Sequence, residues 1–425
     1  QVSDQKIIEK DVHIYPGAFI STTGKGTITF KKNVTVIGNT QVFDTGANLY
    51  FADNSLAILN PVWWGARGDD NIDDTEILKK VIQISMTSPY TQTIQIPFGN
   101  LYISNTLIID PTKNSYKRLI IEGLGYSSSA TRGSSLTWVG ENNGSMLILQ
   151  NIHNAIIREI DFTSSNGKSV NCNLELRPFM SNLQITNCNF SGVSGINSAN
   201  ISLNEGNQDQ VSEIRISNSN FRGVINSKNN ERISQSAIAG GLGNCKNFYI
   251  SDCSFMPYKG TAINITNSDM FVVDNCTFAE NGLDIRLNDG IARLESNYSE
   301  NSGGFYENGF SSSIHQSYLV GNYFAGIPRD QLVIRDGSGE LFLINNNFGG
   351  NGPSEENKVA QIKWEMGTHG SITSIGNFYK GSSETKSPFK NRSGISIQMR
   401  SSNKITSLND LGGISGADKI RFKAE

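Results

Sequence analysis

The chain of 425 residues carries a formal net charge of −3 and has no basic tract, which argues against a nucleic-acid partner. No apolar run approaches the roughly 20 residues of a membrane span, so no membrane partner is expected. Glycine contributes 42 residues and charged residues only 18%, a balance that suits many tight turns between short strands. A chain this long predicts several domains or one elongated repeat. It opens at Gln1 without a methionine, which is typical of a processed or trimmed chain and compatible with secretion.

Residues 1–58 alternate between apolar and polar side chains, as in GTITF (26–30) and ANLYF (47–51). Alternation of this period is typical of strands. We therefore predict a small N-terminal β unit over 1–58, followed by a second domain over 59–425.

A helix is predicted near residues 75–85, at the start of this second domain. Asp73, Asp74 and Thr75 offer capping oxygens and negative charge where a helix leaves N–H groups unpaired. The residues after them place apolar side chains on one face, so the helix is expected to lie on a hydrophobic surface. This apolar stripe consists of Ile77, Leu78, Val81 and Ile82.

Just before the helix, Arg67, Gly68 and Asp69 spell the adhesion tripeptide RGD. A glycine turn flanked by acidic residues explains the same letters. The sequence is compatible with both an adhesion motif and a glycine turn.

One phrase, an apolar strand followed by Asn or Asp, a small residue and an aromatic, recurs along the chain. Its clearest copies are LQITNCNF (183–190), IRISNSNF (214–221), FYISDCSF (248–255), FVVDNCTF (271–278) and LFLINNNF (341–348). A second short strand lies between the copies, for example CNLEL (172–176), ANISL (199–203), TAINIT (261–266) and LDIRL (283–287). Variable spacing with a constant phrase indicates a solenoid with loops of different length. Short strands stacked in this way predict a parallel β-helix.

The asparagines of the phrase are expected at sharp bends, because Asn tolerates left-handed backbone angles and its amide can bond to an amide one coil away. The predicted ladder consists of Asn218, Asn275, Asn297 and Asn346. Cys188, Cys253 and Cys276 fall at equivalent places and are predicted to form an inward stack of reduced thiols. With no CxxC pair and only four histidines, the chain predicts no metal site.

The segment WWGARGDDNIDDTEILKKVIQ (63–83), with TIQIPFGNLYISNTLIID (93–110) after it, resembles the opening segment of the pectate-lyase-like superfamily. The similarity is to the branch shared by phage tailspikes and secreted polysaccharide-degrading enzymes, and it departs at Asp70, where that family has glycine. It implies an all-β fold, a single-stranded right-handed parallel β-helix over about 85–400 with an N-terminal capping helix. It also implies a homotrimer with residues 1–58 as an attachment or stem element, and a ligand groove along the outer face of the second strand.

Within that groove, alternation assigns outward side chains and so the candidate catalytic residues. Asp284 with Glu280 or Glu205 would suit hydrolysis, which needs two carboxylates across a sugar. Arg286 with Lys259 would suit β-elimination, which needs a cation and a base.

Candidate substrate-binding residues are Glu175, Asn264, Lys259, Arg232, Asp274 and Arg335. Ala237, Ala239 and Gly241 are expected to form a smooth floor on which a sugar ring could rest. Trp138, Tyr258, Phe305 and Tyr306 could stack on sugars or pack in the core.

The segment VVDNCTFAENGLDIRL (272–287) is also similar to the acidic segment of the inulin fructotransferases, with Asp274 and Asp284 at the places of their two acids. We therefore predict an extracellular or virion-associated enzyme that cleaves glycosidic bonds in a polysaccharide without a cofactor. Hydrolase and lyase are not separated. The alternatives are a fructan-acting transferase and a non-catalytic glycan-binding protein.

Overall fold

The structure of the chain is a computed structural model. It describes residues 2–423 except for 53–54, 89–90, 112–117, 126–132, 142–143, 204–210, 241–245, 309–315, 327–330, 335–339, 349–361, 365–369, 380–388, 391–394, 401–403 and 406–419. Within these residues, no helix is long and apolar enough to cross a membrane.

The N-terminal region consists of short parallel strands around an aromatic core. Its strands are β1 (Gln5–Ile8), β2 (Val12–Ile14), β3 (Thr27–Phe30), β4 (Val34–Val36) and β5 (Leu49–Phe51). The next strand, β6 (Ile58–Leu59), pairs in parallel with residues 93–94 of the main sheet. Strands β1, β3 and β5 pair in parallel, as do β2 and β4. The rings of Phe30 and Phe51 stack 5.2 Å apart because parallel register sets them side by side. The strands predicted over 1–58 are present, and the domain boundary at residue 58 stays a prediction.

A 3₁₀ turn (Pro61–Trp64) and helix α1 (Thr75–Thr87) follow. The predicted helix is confirmed, and its buried face includes Leu78, Val81 and Ile82. The capping differs from the expectation, because Asp73 Oδ1 accepts from the Thr75 amide while the Asp74 side chain makes no cap bond. The Asp74 carboxyl accepts instead from the backbone amides of residues 67 and 102.

The chain divides into two compact units, the first ending at residue 193. After the cap, the first unit contains β7 (Thr93–Gln95), β8 (Gly99–Ile103), β9 (Leu107–Ile109), β10 (Leu119–Glu122), β11 (Ser134–Trp138), β12 (Ser145–Leu149), β13 (His153–Arg158), β14 (Asp161–Ser164), β15 (Cys172–Leu176), β16 (Met180–Thr186) and β17 (Asn189–Phe190).

The second unit continues the same pattern. Its strands are β18 (Ala199–Leu203), β19 (Val211–Ser217), β20 (Asn220–Arg222), β21 (Ile225–Asn226), β22 (Glu231–Arg232), β23 (Ser236–Gly240), β24 (Lys246–Ser251), β25 (Ser254–Met256), β26 (Thr261–Asp274), β27 (Thr277–Ala279), β28 (Leu283–Glu295), β29 (Tyr298–Glu300), β30 (Tyr306–Asn308), β31 (Gln316–Val320), β32 (Tyr323–Ala325), β33 (Leu332–Ile334), β34 (Glu340–Ile344), β35 (Asn347–Phe348), β36 (Ile362–Trp364), β37 (Gly370–Ile375), β38 (Phe378–Tyr379), β39 (Phe389–Lys390), β40 (Ile395–Arg400), β41 (Lys404–Ile405) and β42 (Ile420–Lys423).

Each coil of the second unit has three faces. Face A contains β18, β23, the first half of β26, the first half of β28, β30 and β33, all paired in parallel. Face B contains β19, β24, the second halves of β26 and β28, β31 and β34. Face C contains β20, β25, β27, β29, β32 and β35. The predicted parallel β-helix is therefore confirmed, with three strands per coil where the sequence indicated at least two.

The predicted asparagine ladder is present but shifted. Asn297, Asn322 and Asn346 are buried, and each side-chain oxygen accepts a bond from the preceding coil, as in Asn297 Nδ2 to Asn322 Oδ1 at 3.0 Å. Asn218 and Asn275 do not belong to it. They occupy the left-handed bend one residue earlier, with φ of 49° and 51°. The sequence phrase contains two asparagine positions, and only the second one faces the core.

The cysteine prediction is confirmed for the described residues. Cys188, Cys253 and Cys276 are free thiols, buried at the place of the ladder asparagines. The Cys276 amide donates to Asn297 Oδ1 at 3.0 Å, which joins the thiol row to the ladder. Burial raises the pKa of Cys188 to about 12, so it stays a neutral thiol.

Candidate functional site

Face A of the second unit presents one outward row of side chains. In strand order the row consists of Ser202, Ala239, Asn264, Arg286 and Glu307. Neighbouring strands lie about 4.8 Å apart, so the row is about 19 Å long. We call it the face A row. It contains a hydroxyl, an amide, a cation and a carboxylate, and so combines donors and acceptors in one line.

An ion pair occupies one end of the face A row. Arg286 Nε donates to Glu307 Oε1 at 2.9 Å, and Arg286 Nη2 lies 2.9 Å from the same oxygen. The Glu307 side chain is only 9% exposed and that of Arg286 is 33% exposed. Because little water reaches the carboxylate, this pair is held more firmly than an exposed one. Arg286 thus faces outward, as the alternation predicted.

Small residues form the middle of the row. Ala239 is half-buried between Ser202 and Asn264. The next residue, Gly240, has a φ of 130°, and a Cβ there would lie 2.1 Å from the Leu203 carbonyl oxygen, so only glycine fits. The surface at Ala239 and Gly240 therefore carries no large side chain.

Of the three residues predicted to form a smooth floor, only Ala239 lies on the face A row. The prediction for Ala237 is wrong, because its side chain is fully buried in the core. Gly241 lies outside the described residues.

Exposed ion pairs stand at the amino ends of the face A strands. Strands β21 and β22 form an antiparallel hairpin, and two residues of β22 reach the turns before β26 and β28. Lys259 Nζ donates to Glu231 Oε1 at 2.8 Å, a bond that holds the Glu231 pKa below its usual range. Arg232 Nη2 lies 3.6 Å from Glu280 Oε2. Lys259, Arg232 and Glu280 thus belong to one exposed cluster, which could contact a ligand on face A.

The predicted outward position of Asp284 is wrong. The residue is fully buried, Asn281 Nδ2 donates to its Oδ1 at 2.9 Å, and the Ser299 hydroxyl donates to its Oδ2. The alternation is broken at this point of β28, because the consecutive amides of Asp284 and Ile285 both donate to the next coil, to the carbonyl oxygens of Gly304 and Phe305 at 3.0 and 2.8 Å. Ala262, at the same place one coil earlier, is fully buried as well.

This placement changes the chemistry available on face A. Burial raises the pKa of Asp284 to about 7, although the hydrogen bonds from Ser299, Ser302 and Asn281 act in the opposite direction. Glu280, in contrast, is exposed on the turn. The predicted acid–base pair of Asp284 and Glu280 is therefore not brought together on the outer surface.

The remaining candidates do not lie on the face A row. Glu175 belongs to the first unit, where its Oε1 accepts from Arg177 Nε at 2.8 Å. Asp274 is the last residue of β26 on face B, so its assignment to the groove is wrong. Burial, followed by repulsion from neighbouring carboxylates, raises the pKa of Asp274. Glu205 and Arg335 lie outside the described residues.

The candidate stacking aromatics are core residues. They are Trp138, Tyr258, Phe305 and Tyr306, all of them buried. The Tyr258 hydroxyl donates to Asn200 Oδ1 at 2.6 Å, which satisfies it inside the coil. Of the two roles that the sequence left open for these residues, only the core role fits.

Sequence reasoning missed Glu307. The segment FYEN (305–308) lacks the recurrent phrase, so the phrase does not assign Glu307 to a strand. Its signal is the alternation itself, because Tyr306 pairs with Ile285 and Glu307 with Arg286 one coil before. In the part of the chain that the structure describes, no cluster of His, Cys, Asp or Glu could hold a metal ion.

Solved structures share this architecture at low sequence identity. The Dettilon tailspike protein has a TM-score of 0.54 at 12% identity, with 82% of this chain and 67% of that chain covered. The chain's fold is similar to that of this tailspike protein. A Geobacillus virus E2 protein has a TM-score of 0.48 at 12% identity over 81% of this chain, which spans 62% of that protein. The DFA-IIIase of Arthrobacter chlorophenolicus A6, in complex with GF2, has a TM-score of 0.49 at 12% identity, covering 82% and 93% of the two chains.

No protein-family model and no curated protein sequence matches the chain. Identities of 12% show the fold alone, so the predicted resemblance is confirmed as a shared parallel β-helix fold.

Proposed function

We propose that the protein binds an extracellular or virion-accessible polysaccharide along the face A row. The observation that carries this proposal is the row itself, a continuous outward line of side chains about 19 Å long. Sugar hydroxyls both donate and accept, and Asn264 and Arg286 offer matching partners along this line. Because Ala239 and Gly240 have no large side chain, there is space for a sugar ring beside Asn264 and Arg286.

The ion pair supports recognition of a polar polymer rather than of an apolar ligand. Glu307 fixes the guanidinium of Arg286 through two contacts of 2.9 Å, so the arginine is oriented before a ligand arrives. Its remaining N–H groups can donate to hydroxyl or carboxylate oxygens of a sugar.

Affinity electrophoresis of the protein in gels containing bacterial capsular, algal or plant polysaccharides tests the proposal. We expect at least one polymer to retard the protein, and Asn264→Ala to weaken that retardation about tenfold, because one or two hydrogen bonds are lost. Arg293→Ala is the control outside the row: like Arg286, Arg293 is on β28 with a carboxylate partner, Glu295, but it lies on face B. Equal weakening by both variants, or retardation by no polymer, would contradict the proposal.

A second candidate function is cleavage of the bound polymer, and Glu307 is the observation that favours it. It is the carboxylate of the face A row, and Glu280 stands on the turn before the adjacent strand. Glycosidic hydrolysis uses two such groups, one as acid and one as base or nucleophile. Release of reducing ends that Glu307→Gln abolishes would support cleavage; retardation without release would leave a binding protein. New ultraviolet absorbance of unsaturated uronates would identify a lyase.

A further inference from the structure

A separate cleft lies between the N-terminal strands and the cap. Its volume is about 400 Å³, and it is lined by residues 39–41, 65–69 and 97–98 together with Val62. This volume falls in the range of small-molecule sites, roughly 300–1,000 Å³. It belongs wholly to the first unit and takes no part in the face A row.

The backbone fixes this cleft firmly. A Cβ on Gly68 would lie 2.5 Å from the Phe98 carbonyl oxygen, and one on Gly99 would lie 2.4 Å from the Gly68 oxygen. The Asn100 amide also donates to the Gly68 oxygen at 2.9 Å. The two glycines therefore let the segments touch, and their contact sets Arg67 and Asp69 beside Phe98.

Hydrogen bonds hold the polar wall of the cleft in place. Asn60 Nδ2 donates to Asn39 Oδ1 at 3.2 Å, and Gln41 Nε2 donates to the Phe43 carbonyl oxygen at 3.1 Å. The Arg67 amide donates to Oδ1 of the buried Asp74 at 3.2 Å. The wall is thus organised without a ligand, which reduces the ordering cost of binding.

Several groups of the cleft remain available to a ligand. In the described part of the chain, the Arg67 guanidinium, the Asp69 carboxylate and the Thr40 hydroxyl have no protein partner. The Phe98 side chain is 59% exposed, a large apolar surface next to these polar groups.

We propose that this cleft, the cap cleft, is a second carbohydrate site that binds one or two neutral pyranose units. Amide, hydroxyl, carboxylate and guanidinium groups match the alternating donors and acceptors of sugar hydroxyls. The exposed ring of Phe98 offers a surface for the apolar C–H face of a pyranose. Arg67 and Asp69 carry opposite charges, so the cleft favours a neutral ligand over a phosphate or a uronate. The proposal rests on the proposed function only in taking carbohydrate as the ligand.

The cap cleft also gives a structural explanation for the sequence RGD at residues 67–69. Gly68 is locked against Gly99, so Arg67 and Asp69 line a cleft and do not form the tip of a free turn. Adhesion is then an outcome that the same variants can test.

Saturation-transfer NMR of the full chain with methyl glycosides of glucose, galactose, mannose, N-acetylglucosamine and glucuronic acid tests the inference. We expect transfer to at least one neutral glycoside, with Phe98→Ala and Arg67→Ala each weakening binding fivefold or more. Phe179→Ala is the matched control, since Phe179 is 51% exposed in the same unit but does not line the cleft. Thermal unfolding of each variant should match the wild type, because both aromatic rings are exposed.

Three results would overturn the inference: no transfer to any neutral glycoside, preference for the glucuronide, or equal loss in Phe98→Ala and Phe179→Ala. Binding of an RGD-dependent receptor with no sugar binding would do the same. Asn264→Ala separates the two proposals. If Asn264→Ala keeps saturation transfer from the glycosides and loses polymer retardation, both proposals are supported. If Asn264→Ala leaves polymer retardation unchanged, the face A proposal fails, while the cap cleft proposal can still be supported by the transfer data.

Discussion

The Ser299 hydroxyl donates a hydrogen bond to the carboxyl group of Asp284 in the interior of one coil. Ser299 pairs in register with Phe278 one coil before and with Phe324 one coil after, and both phenylalanines are buried. Serine is smaller than phenylalanine, and Asp284 and Phe305 occupy the space that a phenylalanine would fill at this position. The ring of Phe305 lies 4.6 Å from that of Phe324. A buried carboxyl group is therefore part of the core at this coil.

Asp284→Asn should make stability less dependent on pH. The pKa of Asp284 is about 7 in the folded chain and 3.8 when unfolded, so the folded state binds the extra proton between these values. The free energy of unfolding of the wild type should accordingly fall as the pH rises from about 4 to 7, then level off. Asparagine keeps the bond from Asn281 and has no charge, so thermal unfolding at pH 5 and pH 8 should differ less in the variant. Glu280→Gln, on the exposed turn, is the control and should keep the wild-type dependence.

Polymer cleavage, where present, should survive Asp284→Asn. The carboxyl is fully buried and cannot touch a ligand on face A. Initial rates of reducing-end release, measured well below the unfolding temperature, should stay within about threefold of the wild type. A hundredfold loss with an unchanged melting temperature would restore Asp284 as a catalytic residue.

Asn322→Ala should destabilise the chain by about 2–4 kcal/mol, because it leaves several buried groups unpaired. Asn322 Nδ2 donates to the Leu294 carbonyl oxygen at 2.8 Å, and Asn322 Oδ1 accepts from the Asn297 amide at 3.0 Å. Asn275→Gly changes an exposed bend residue to one that tolerates its φ of 51° and should cost much less. Denaturant unfolding of both variants measures the difference, and equal costs would show that the ladder adds nothing to an ordinary bend.

Cys188 and Cys276 should resist alkylation in the folded chain. Burial raises the pKa of both thiols, that of Cys188 to about 12, so almost no thiolate exists at pH 8. Peptide mapping after iodoacetamide treatment should find both residues unmodified in native buffer and modified in guanidinium. Rapid native labelling would place them at the surface.

We predict a homotrimer, with the N-terminal strands contributing to its contacts. Ile7, Tyr15 and Phe19 are exposed on this region, and association would remove their apolar surface from water. Sedimentation equilibrium should give three times the 46.4 kDa chain mass, and Phe19→Ala with Tyr15→Ala should shift it toward monomer. A single 46.4 kDa species at micromolar concentration would rule the trimer out.

The sequence by itself determined the architecture. Recurrence of a strand–bend–aromatic phrase requires stacked coils, because each short strand can bury its apolar face only against its neighbours. The capping helix from Thr75 and the buried thiols at Cys188 and Cys276 follow from the same local patterns. These features depend on residues near each other in the chain.

Only the tertiary structure decided the site. Alternation places Asp284 and Arg286 on one side of a regular strand, yet the amides of Asp284 and Ile285 both donate to the next coil, which breaks the alternation and leaves Asp284 in the interior, bonded to a serine fifteen residues later. Glu307 joins Arg286 because parallel register sets the two side by side, and that register depends on the lengths of the loops between coils. The cap cleft likewise exists because Gly68 meets Gly99, two residues that no local pattern connects. Contacts between coils are set by the whole solenoid, which is why local periodicity predicts the strands but not which side chains meet.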